Sequence, residues 1–382
     1  MNFLLINYEF PPVGGGAGNA THFMGKALVE LGHEVHILTC AWEDDEGYRN
    51  LDGIHLHRIP SKRSHPSMAS SWEKISFVAK AFSYLKTIVK QGHITHAIVF
   101  FTIPNGPLGW WLNKKHDIPY ILSLRGGDVP GLVPEIDHIH KVITPIRRSC
   151  LKRSHAIVAN AEGLAQLSRD ADPYAVDVIP NGVDTETFKP AVERRSSPTF
   201  DVVFVGRFHP QKNLPALFKT IAKMKQAEGR PLRLHMVGEG PEETALRQLQ
   251  EQLSLDEEIF WHGWTQKKDL IHLHQRCSVM VNPSHYEGLP NAVLEGMASG
   301  LAIVVSDVPG NNDLVTDECG LSFPISETEK LFLALQDLRL RNEEDVWQLG
   351  DASRRRVQEH YSWASTAQQY VDRFNAQPKS SL

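Results

Sequence analysis

Short apolar runs alternate along the chain with longer segments in which apolar residues have helical spacing. Residues 3–7 form the first run, and residues 19–31 are predicted to be a helix that Gly32 caps. Runs that are apolar on both faces are typical of a parallel sheet covered by helices on both sides. Further runs of this kind lie at 34–40, 54–59, 96–101, 120–124, 156–161 and 176–181.

A segment rich in charge, serine and proline interrupts this pattern at residues 189–199. A chain of 382 residues is also long for a single domain. We therefore predict two doubly wound, Rossmann-like α/β domains, at residues 1–189 and 190–361, that face a central cleft and bind ligands at their strand ends. The strand patterns of the second domain lie at 201–206, 232–238, 258–263, 278–284 and 301–307.

Composition argues against several classes of protein. The formal net charge of −5 argues against a general nucleic-acid binder. The four cysteines are scattered, which suits a reducing cytoplasm and gives no disulfide or metal framework. The chain starts directly with a core-strand pattern, so we expect no signal peptide, and no apolar run reaches the roughly 18–20 residues that span a bilayer.

Residues 283–300 carry the most specific chemical pattern. Glu287 and Glu295 flank a Gly-Leu-Pro-Asn turn that can start a helix, with Pro290 predicted at its first position. The amides of Gly288, Leu289 and Asn291, at the positive end of the helix dipole, favour an anion such as a diphosphate. Two carboxylates beside that anion would accept hydrogen bonds from neutral hydroxyls, and hydroxyls on both sides of a diphosphate describe a nucleotide sugar.

This stretch resembles the Glu-x7-Glu signature of retaining glycosyltransferases of family 4, which have the GT-B fold. Further matches follow in family order between about residues 2 and 370: NYEFPPVGGGAGN, IPNGVD, FVGRFHPQKN, MVGEGPE and WHGW. The resemblance implies an acceptor-side first domain, a nucleotide-sugar-binding second domain and a final helix, within 362–382, that returns to the first domain. It implies no cofactor and favours a UDP-sugar donor. The EGLPN variant resembles enzymes of bacterial surface polysaccharide assembly, whose acceptors are glycans, lipid-linked glycans or small molecules.

The resemblance also assigns roles to residues. Glu287 would contact hydroxyls of the donor sugar and Glu295 the ribose, whereas a simple helix cap and a solvated carboxylate are the alternatives. Arg207 and Lys212, with Gly206 beside them, would neutralise the diphosphate leaving group, or else be surface charges.

Two further elements complete the predicted donor site. The loop with Gly15 and Gly16 would close over the diphosphate, or else form a tight turn without a ligand. Trp264 would either stack on the base or pack in the core.

One motif departs from the family pattern. Many members have a histidine where Arg125 stands, near the reacting sugar, and arginine cannot act as a general base at neutral pH. Arg125 can still bind an anionic donor or acceptor, and Asp128 can accept a hydrogen bond from an acceptor hydroxyl. A structural pair of these two residues is the alternative.

Metal ligands and membrane contacts complete the sequence predictions. We expect no metal: Asp170 and Asp172 match Asp-x-Asp but lie in a polar loop, and the histidines have no ligand spacing.

A basic cluster suggests peripheral contact with the inner face of a membrane, or else a solvated helix face. Its members are Arg147, Arg148, Lys152 and Arg153. A nucleotide-sugar epimerase and a non-catalytic sugar-nucleotide-binding protein remain alternative functions.

Overall fold

The computed structural model describes residues 1–65, 69–133, 137–193 and 196–377. The chain forms two compact units, Met1–Gly182 with the C-terminal segment from Trp363, and Val183–Ser362. The sequence placed the division after residue 189, whereas the structure divides the chain after Gly182. The predicted pair of Rossmann-like α/β domains is confirmed, because each unit is built on a sheet of parallel strands flanked by helices.

The first unit contains an eight-stranded sheet of order β3-β4-β2-β1-β5-β6-β7-β8, in which only the β3–β4 pair is antiparallel. Its strands are β1 Asn2–Ile6, β2 Glu34–Cys40, β3 Gly47–Leu51, β4 Ile54–Ile59, β5 His96–Phe100, β6 Tyr120–Leu124, β7 Ala156–Ala159 and β8 Asp177–Val178. The sequence analysis missed β3, because this edge strand is exposed on both faces and has no apolar alternation. The Asp52-Gly53 turn, with positive φ at both residues, is the hairpin signal that marks it.

The helices of the first unit cover both faces of this sheet and enclose one apolar core on each side. They are α1 Gly16–Glu30, α2 Ser71–Gln91, α3 Gly106–His116, α4 Asp137–Arg153, α5 Glu162–Ala171 and, from the end of the chain, α13 Trp363–Asn375. The predicted return of the last helix is confirmed, since α13 packs against α1. Tyr370 of α13 is fully buried, and its hydroxyl lies 2.7 Å from Ser123 Oγ of β6.

The helix α1 begins three residues before its predicted start at Asn19. Gly14, at φ +91°, turns the chain, and Gly15 is the N-cap, so the glycine-rich segment forms the first helical turn. Gly18 lies under the preceding loop, where an added Cβ would stand 3.1 Å from the Val13 carbonyl oxygen. Close backbone packing therefore overrides the low helix propensity of glycine here.

The second unit has a six-stranded parallel sheet of order β11-β10-β9-β12-β13-β14. Its strands are β9 Phe200–Val205, β10 Leu232–Val237, β11 Ile259–Gly263, β12 Val279–Asn282, β13 Ala302–Ser306 and β14 Gly320–Phe323. Its helices are α6 Leu214–Gln226, α7 Glu243–Gln252, α8 Lys267–His274, α9 Asn291–Ala298, α10 Pro309–Asn312, α11 Thr328–Leu340 and α12 Glu343–His360, with a short 3₁₀ helix at Pro210–Lys212. The strand order reverses between β9 and β12, and such switch points are where open α/β sheets bind ligands.

Replacing Tyr370 by alanine should lower the free energy of unfolding by about 3–5 kcal/mol, because it leaves a cavity and removes the hydrogen bond to Ser123. Urea unfolding measures this loss. Gln368→Ala, on the exposed face of the same helix, is the matched control and should stay within about 0.5 kcal/mol of the wild type. Equal losses for the two variants would contradict the packing of α13 described above.

Candidate functional site

The carboxyl ends of β9 and β12 bring Lys212 and Glu287 into direct contact at the switch point of the second unit. Lys212 ends the 3₁₀ helix after β9, and its ammonium group forms an ion pair with Glu287 Oε1. Two hydrogen bonds between the loops hold this pair in place. The amide of His285 donates to the Gln211 carbonyl at 2.7 Å, and Gln211 Nε2 donates to the Tyr286 carbonyl at 2.7 Å.

The carboxylate of Glu287 uses its two oxygens differently. Besides Lys212, Oε1 receives hydrogen bonds from Ser284 Oγ at 2.7 Å and Asn282 Nδ2 at 3.2 Å. Within the described part of the chain, Oε2 accepts no hydrogen bond, and it is not enclosed by protein. Glu287 is only 8% exposed, so Oε2 is the part of the carboxylate that is left available for a hydrogen bond from a ligand.

A buried network of hydrogen bonds holds the side chains that donate to Glu287. Asn282 Nδ2 also donates to Asn311 Oδ1 at 3.2 Å, and Asn311 Nδ2 donates to the Ser306 carbonyl at 2.9 Å. The sequence analysis did not name Asn282, Ser284, Ser306 or Asn311. Asn282, Ser284 and Ser306 end or directly follow apolar strand runs, and a polar residue at a buried strand end was the available signal, whereas Asn311 lies on α10.

The start of α9 differs by one residue from the prediction. Pro290 is not the first helical residue but the N-cap, since its carbonyl accepts the amides of Val293 and Leu294 at 3.0 and 3.2 Å. Within the described residues, the amides of Gly288 and Leu289 donate no backbone hydrogen bond. Together with the positive end of the helix, they can bind an anion.

Gly310 fixes the position of this turn. A Cβ added at Gly310 would stand 1.8 Å from the Gly288 carbonyl oxygen and 2.9 Å from that of Glu287. The helix α10 therefore packs backbone to backbone against the Glu287–Gly288 turn, which only glycine permits.

Gly206 and Arg207 lie in a loop that packs equally closely on its neighbour. The Phe208 amide donates to the Glu239 carbonyl at 3.0 Å, and a Cβ at Gly238 would meet the Gly206 carbonyl oxygen at 2.0 Å. Gly206 lies against Lys212, with 3.5 Å between the position of an added Cβ and Lys212 Cε. Arg207 has an exposed side chain at this strand end.

Trp264 is 74% exposed directly after β11, so the alternative of core packing is wrong. Its amide donates to Glu239 Oε1 at 3.2 Å, which ties the ends of β10 and β11 together. An exposed indole at this edge of the sheet is free to stack on a ligand.

Glu295 is partly buried on α9, and a fully solvated carboxylate is therefore excluded. Burial raises the pKa of its carboxyl group to about 7, while the positive charge of Lys267 lowers it. No sequence pattern predicted this shift, because it depends on what α9 packs against. A carboxyl group with a pKa in this range can be present in its protonated form, in which it donates as well as accepts hydrogen bonds.

The first unit places the predicted glycine residues at the N-terminus of α1. A Cβ added at Gly15 would have no protein atom within 4 Å, and Gly16 is the first residue of the helix. The space around Gly15 allows a ligand to approach the backbone. The predicted contact of Gly15 and Gly16 with a diphosphate stays a prediction.

Asp128 stabilises the loop after β6. Its carboxylate accepts the amides of Thr102, Arg125 and Gly126 at 2.7, 2.9 and 3.1 Å, and the residue is 3% exposed. Both oxygens are thus used by the backbone. This geometry favours a structural role over contact with an acceptor hydroxyl.

The side chain of Arg125 does not form the structural pair with Asp128 that was the alternative. Its guanidinium lies 4.6 Å from the centre of the Phe100 ring and donates through Nη1 to Asn181 Oδ1. Its Nε is buried and has no partner among the described residues. Burial lowers the pKa of Arg125, whereas Tyr370 and Asp128 raise it. Asn181, which lies in the IPNGVD motif, is a partner that the sequence analysis did not identify.

The predicted basic cluster is only partly available to a membrane. Arg147 is 3% exposed and forms an ion pair with Asp172, and Arg148 Nε lies 2.6 Å from the same carboxylate. The proposed contact of Arg147 with headgroups is therefore wrong. Lys152 and Arg153 remain exposed near the end of α4. No helix among the described residues is long and apolar enough to cross a bilayer.

Comparison with known families accounts for most of the chain. The profile described as "Glycosyltransferase Family 4" matches residues 14–187, and the profile described as "Glycosyl transferases group 1" matches residues 185–356. The chain belongs to these GT-B glycosyltransferases. The family predicted from the sequence is thereby confirmed.

Two relatives show the range of the glycosyltransferase family around this chain. "Uncharacterized glycosyltransferase MJ1607" of Methanocaldococcus jannaschii is 25% identical over 83% of this chain and 83% of its own length. The Escherichia coli "UDP-Gal:alpha-D-GlcNAc-diphosphoundecaprenol alpha-1,3-galactosyltransferase" is 35% identical over 38% of this chain and 40% of its own length.

Solved structures show the same fold. Sucrose-phosphate synthase of Thermosynechococcus elongatus has a TM-score of 0.84 at 20% identity, with 98% of both chains covered. Anabaena Alr3699/HepE in complex with UDP-glucose has a TM-score of 0.74 at 16% identity, covering 98% of this chain and 99% of that one.

Gly310→Ala should lower kcat/KM by about 100-fold, because the new methyl group displaces the turn that carries Glu287, and displacements of about 1 Å have effects of that size. Steady-state kinetics with the identified donor measures the loss. Asn312→Ala, on the exposed side of the same short helix, serves as control. An unchanged kcat/KM in Gly310→Ala would show that the turn tolerates displacement.

Glu295→Gln should stabilise the ligand-free protein at pH 8 but not at pH 4. The folded-state pKa of about 7 lies above the unfolded value of 4.5, so the wild type loses stability as the pH rises through this range. The advantage of the variant should reach on the order of 2 kcal/mol above pH 7. Urea unfolding across pH 4–8 tests this, and a pH-independent difference would contradict the raised pKa.

Proposed function

We propose that this glycosyltransferase is a retaining enzyme that transfers a sugar from a UDP-sugar to a glycan, lipid-linked or small-molecule acceptor. The observation that carries the proposal is the Lys212–Glu287 pair at the switch point. It sets a cation and a carboxylate oxygen side by side, directly before the start of α9. A ligand that is anionic at one end and rich in hydroxyls at the other matches both groups.

Each part of the donor has a partner in the second unit. The diphosphate lies at the amides of Gly288 and Leu289, with Arg207 and Lys212 as cations. The outward oxygen of Glu287 accepts a hydroxyl of the sugar, and Glu295 binds the ribose. Trp264 stacks on the base, since every base offers a π-face.

Chemistry proceeds by attack on the face from which the nucleotide leaves. The bond between the anomeric carbon and the β-phosphate oxygen breaks, and the acceptor oxygen bonds to the same face of that carbon. The acceptor proton passes to the leaving phosphate. Lys212 and Arg207 stabilise the negative charge that grows on the diphosphate, which requires no proton transfer from the protein.

The acceptor side rests on fewer observations. The Escherichia coli relative acts on a diphosphoundecaprenol-linked sugar, which supports a role in surface polysaccharide assembly. Arg125, with its buried Nε, is the group we propose for an anionic part of the donor or acceptor. Lys152 and Arg153 are exposed and offer peripheral contact with anionic headgroups at the inner face of a membrane.

A thermal-shift screen of nucleotide sugars identifies the donor, because a ligand that binds only the folded state raises Tm. Turnover of that donor with candidate acceptors, and the anomeric configuration of the product by NMR, then test transfer with retention. An inverted product contradicts the retaining mechanism. Conversion of the donor without any acceptor identifies an epimerase instead, and binding without turnover a non-catalytic protein.

Glu287→Gln should lower kcat at least about 100-fold while UDP affinity falls much less, because the variant loses the charged acceptor for the sugar but its amide oxygen can still accept a hydrogen bond from Lys212. Kinetics and calorimetry with UDP measure the two effects. Glu257→Gln, an exposed residue of the same unit, is the control. Loss of UDP affinity with normal turnover would refute the assignment of Glu287.

Arg207→Ala and Lys212→Ala should each lower transition-state stabilisation by on the order of 2–4 kcal/mol, with the double variant losing less than the sum. Both cations act on one diphosphate, so their effects are coupled. A double-mutant cycle of kcat/KM measures the coupling, with Lys219→Ala on the exposed face of α6 as control. Near-normal single variants would show that neither cation stabilises the leaving diphosphate.

A further inference from the structure

Glu34, His36, His55 and His57 form a cluster of potential metal ligands at the edge of the first unit's sheet. Glu34 and His36 alternate along β2, and His55 and His57 alternate along β4, so all four project from one face. The strand register pairs His36 directly with His55. Sequence spacing did not reveal this cluster, because the two strands are brought together only by the sheet.

The distances within the cluster approach those of a metal site. His36 Nε2 lies 3.2 Å from Glu34 Oε1, and one ligand atom each from Glu34, His36 and His55 lie within 4.8 Å of one another. Donor atoms of a tetrahedral zinc site are roughly 3.3 Å apart, given metal–ligand bonds of about 2.0–2.1 Å. The imidazoles of His36 and His55 stack with 4.5 Å between their centres, so His55, which is only partly buried, must rotate for its nitrogen to converge.

Each of the two histidines is held through its other ring nitrogen. His55 Nδ1 lies 2.7 Å from the Tyr48 hydroxyl of β3, and His36 Nδ1 lies 3.1 Å from His57 Nε2. Metal-binding histidines characteristically use the second nitrogen in this way, because it fixes the tautomer that leaves the ligating nitrogen without a proton. An ion would bind Nε2 of both His36 and His55, and at His36 it would take the place of the proton shared with Glu34 Oε1.

The electrostatic surroundings favour a cation. Glu34 supplies an exposed carboxylate, and the C-terminus of α2 lies against His36. A Cβ added at Gly92, the C-cap of α2, would stand 2.6 Å from His36 Cε1. The carbonyl end of a helix carries partial negative charge, which stabilises a nearby positive ion.

We propose that Glu34, His36 and His55 bind a divalent first-row transition metal such as Zn²⁺, with His57 and Tyr48 as outer hydrogen-bond partners and water completing the coordination. The ion links β2 to β4 and, through Tyr48, to the edge strand β3. Its role is structural, because the cluster lies away from the proposed donor site. Glu34 is at the start of β2, whereas the glycine-rich turn follows the end of β1, at the opposite end of the strands.

The test uses the full-length, untagged chain after dialysis against EDTA, with Zn²⁺ alone as the probe. Competition with a chromophoric chelator should give one ion per chain, and zinc should raise Tm. Co²⁺ in place of Zn²⁺ should give visible absorption bands of tetrahedral coordination. Transferase activity should be the same with and without the ion, which separates this site from the proposed donor chemistry.

Variants at exposed or only partly buried positions keep the test independent of folding. Glu34→Gln and His55→Gln should weaken zinc binding by at least about 100-fold, and Tyr48→Phe, which removes only an outer hydrogen bond, by about 10-fold. His272→Gln, an exposed histidine in the other unit, should bind zinc as the wild type does. Absence of saturable binding by the wild type, or wild-type affinity in His55→Gln, would overturn the proposal.

Discussion

The ion pair between Lys212 and Glu287 is the interaction on which the candidate site depends. Both side chains are largely removed from water, so each would be costly to bury without the other. Apolar residues in place of such a pair often give equal stability, so the geometry that the pair imposes explains it better than stability does. The pair joins the loop after β9 to the loop after β12 and orients one carboxylate oxygen outward. Every role proposed for the start of α9 requires that alignment.

Backbone contacts at glycine residues reinforce the alignment. Gly238, Gly240 and Gly310 each bring one strand-end loop so close to the next that a Cβ would overlap a carbonyl oxygen. The loops therefore cannot move independently by more than small amounts. Closely packed strand-end loops of this kind suit catalysis by charges that are already in position, since the protein then reorganises little during the reaction.

The sequence predicted the fold well, and it singled out Lys212 and Glu287, which the structure brings into contact, because both predictions follow from local patterns. Alternating apolar runs define the two sheets, and Lys212 and Glu287 each follow a strand at the edge where parallel sheets bind ligands. Asn282 and Asn311 escaped prediction, since Asn311 lies on the short helix α10 and meets Asn282 at the end of β12 only in the folded protein. The pKa of Glu295 was also hidden, because it depends on tertiary burial rather than on neighbours in sequence.

The discontinuous first unit has a consequence for how the protein is made. Its sheet is complete once residue 178 has been synthesised, but α13, which buries Tyr370 against that sheet, is synthesised only after the whole second unit. The second unit is continuous between Val183 and Ser362 and has an apolar core of its own. Because synthesis runs from the N-terminus, the second unit can fold completely before the first unit does. During that interval the apolar face of the first unit that α13 later covers stays exposed. Chaperone dependence should accordingly concentrate on the N-terminal half of the nascent chain.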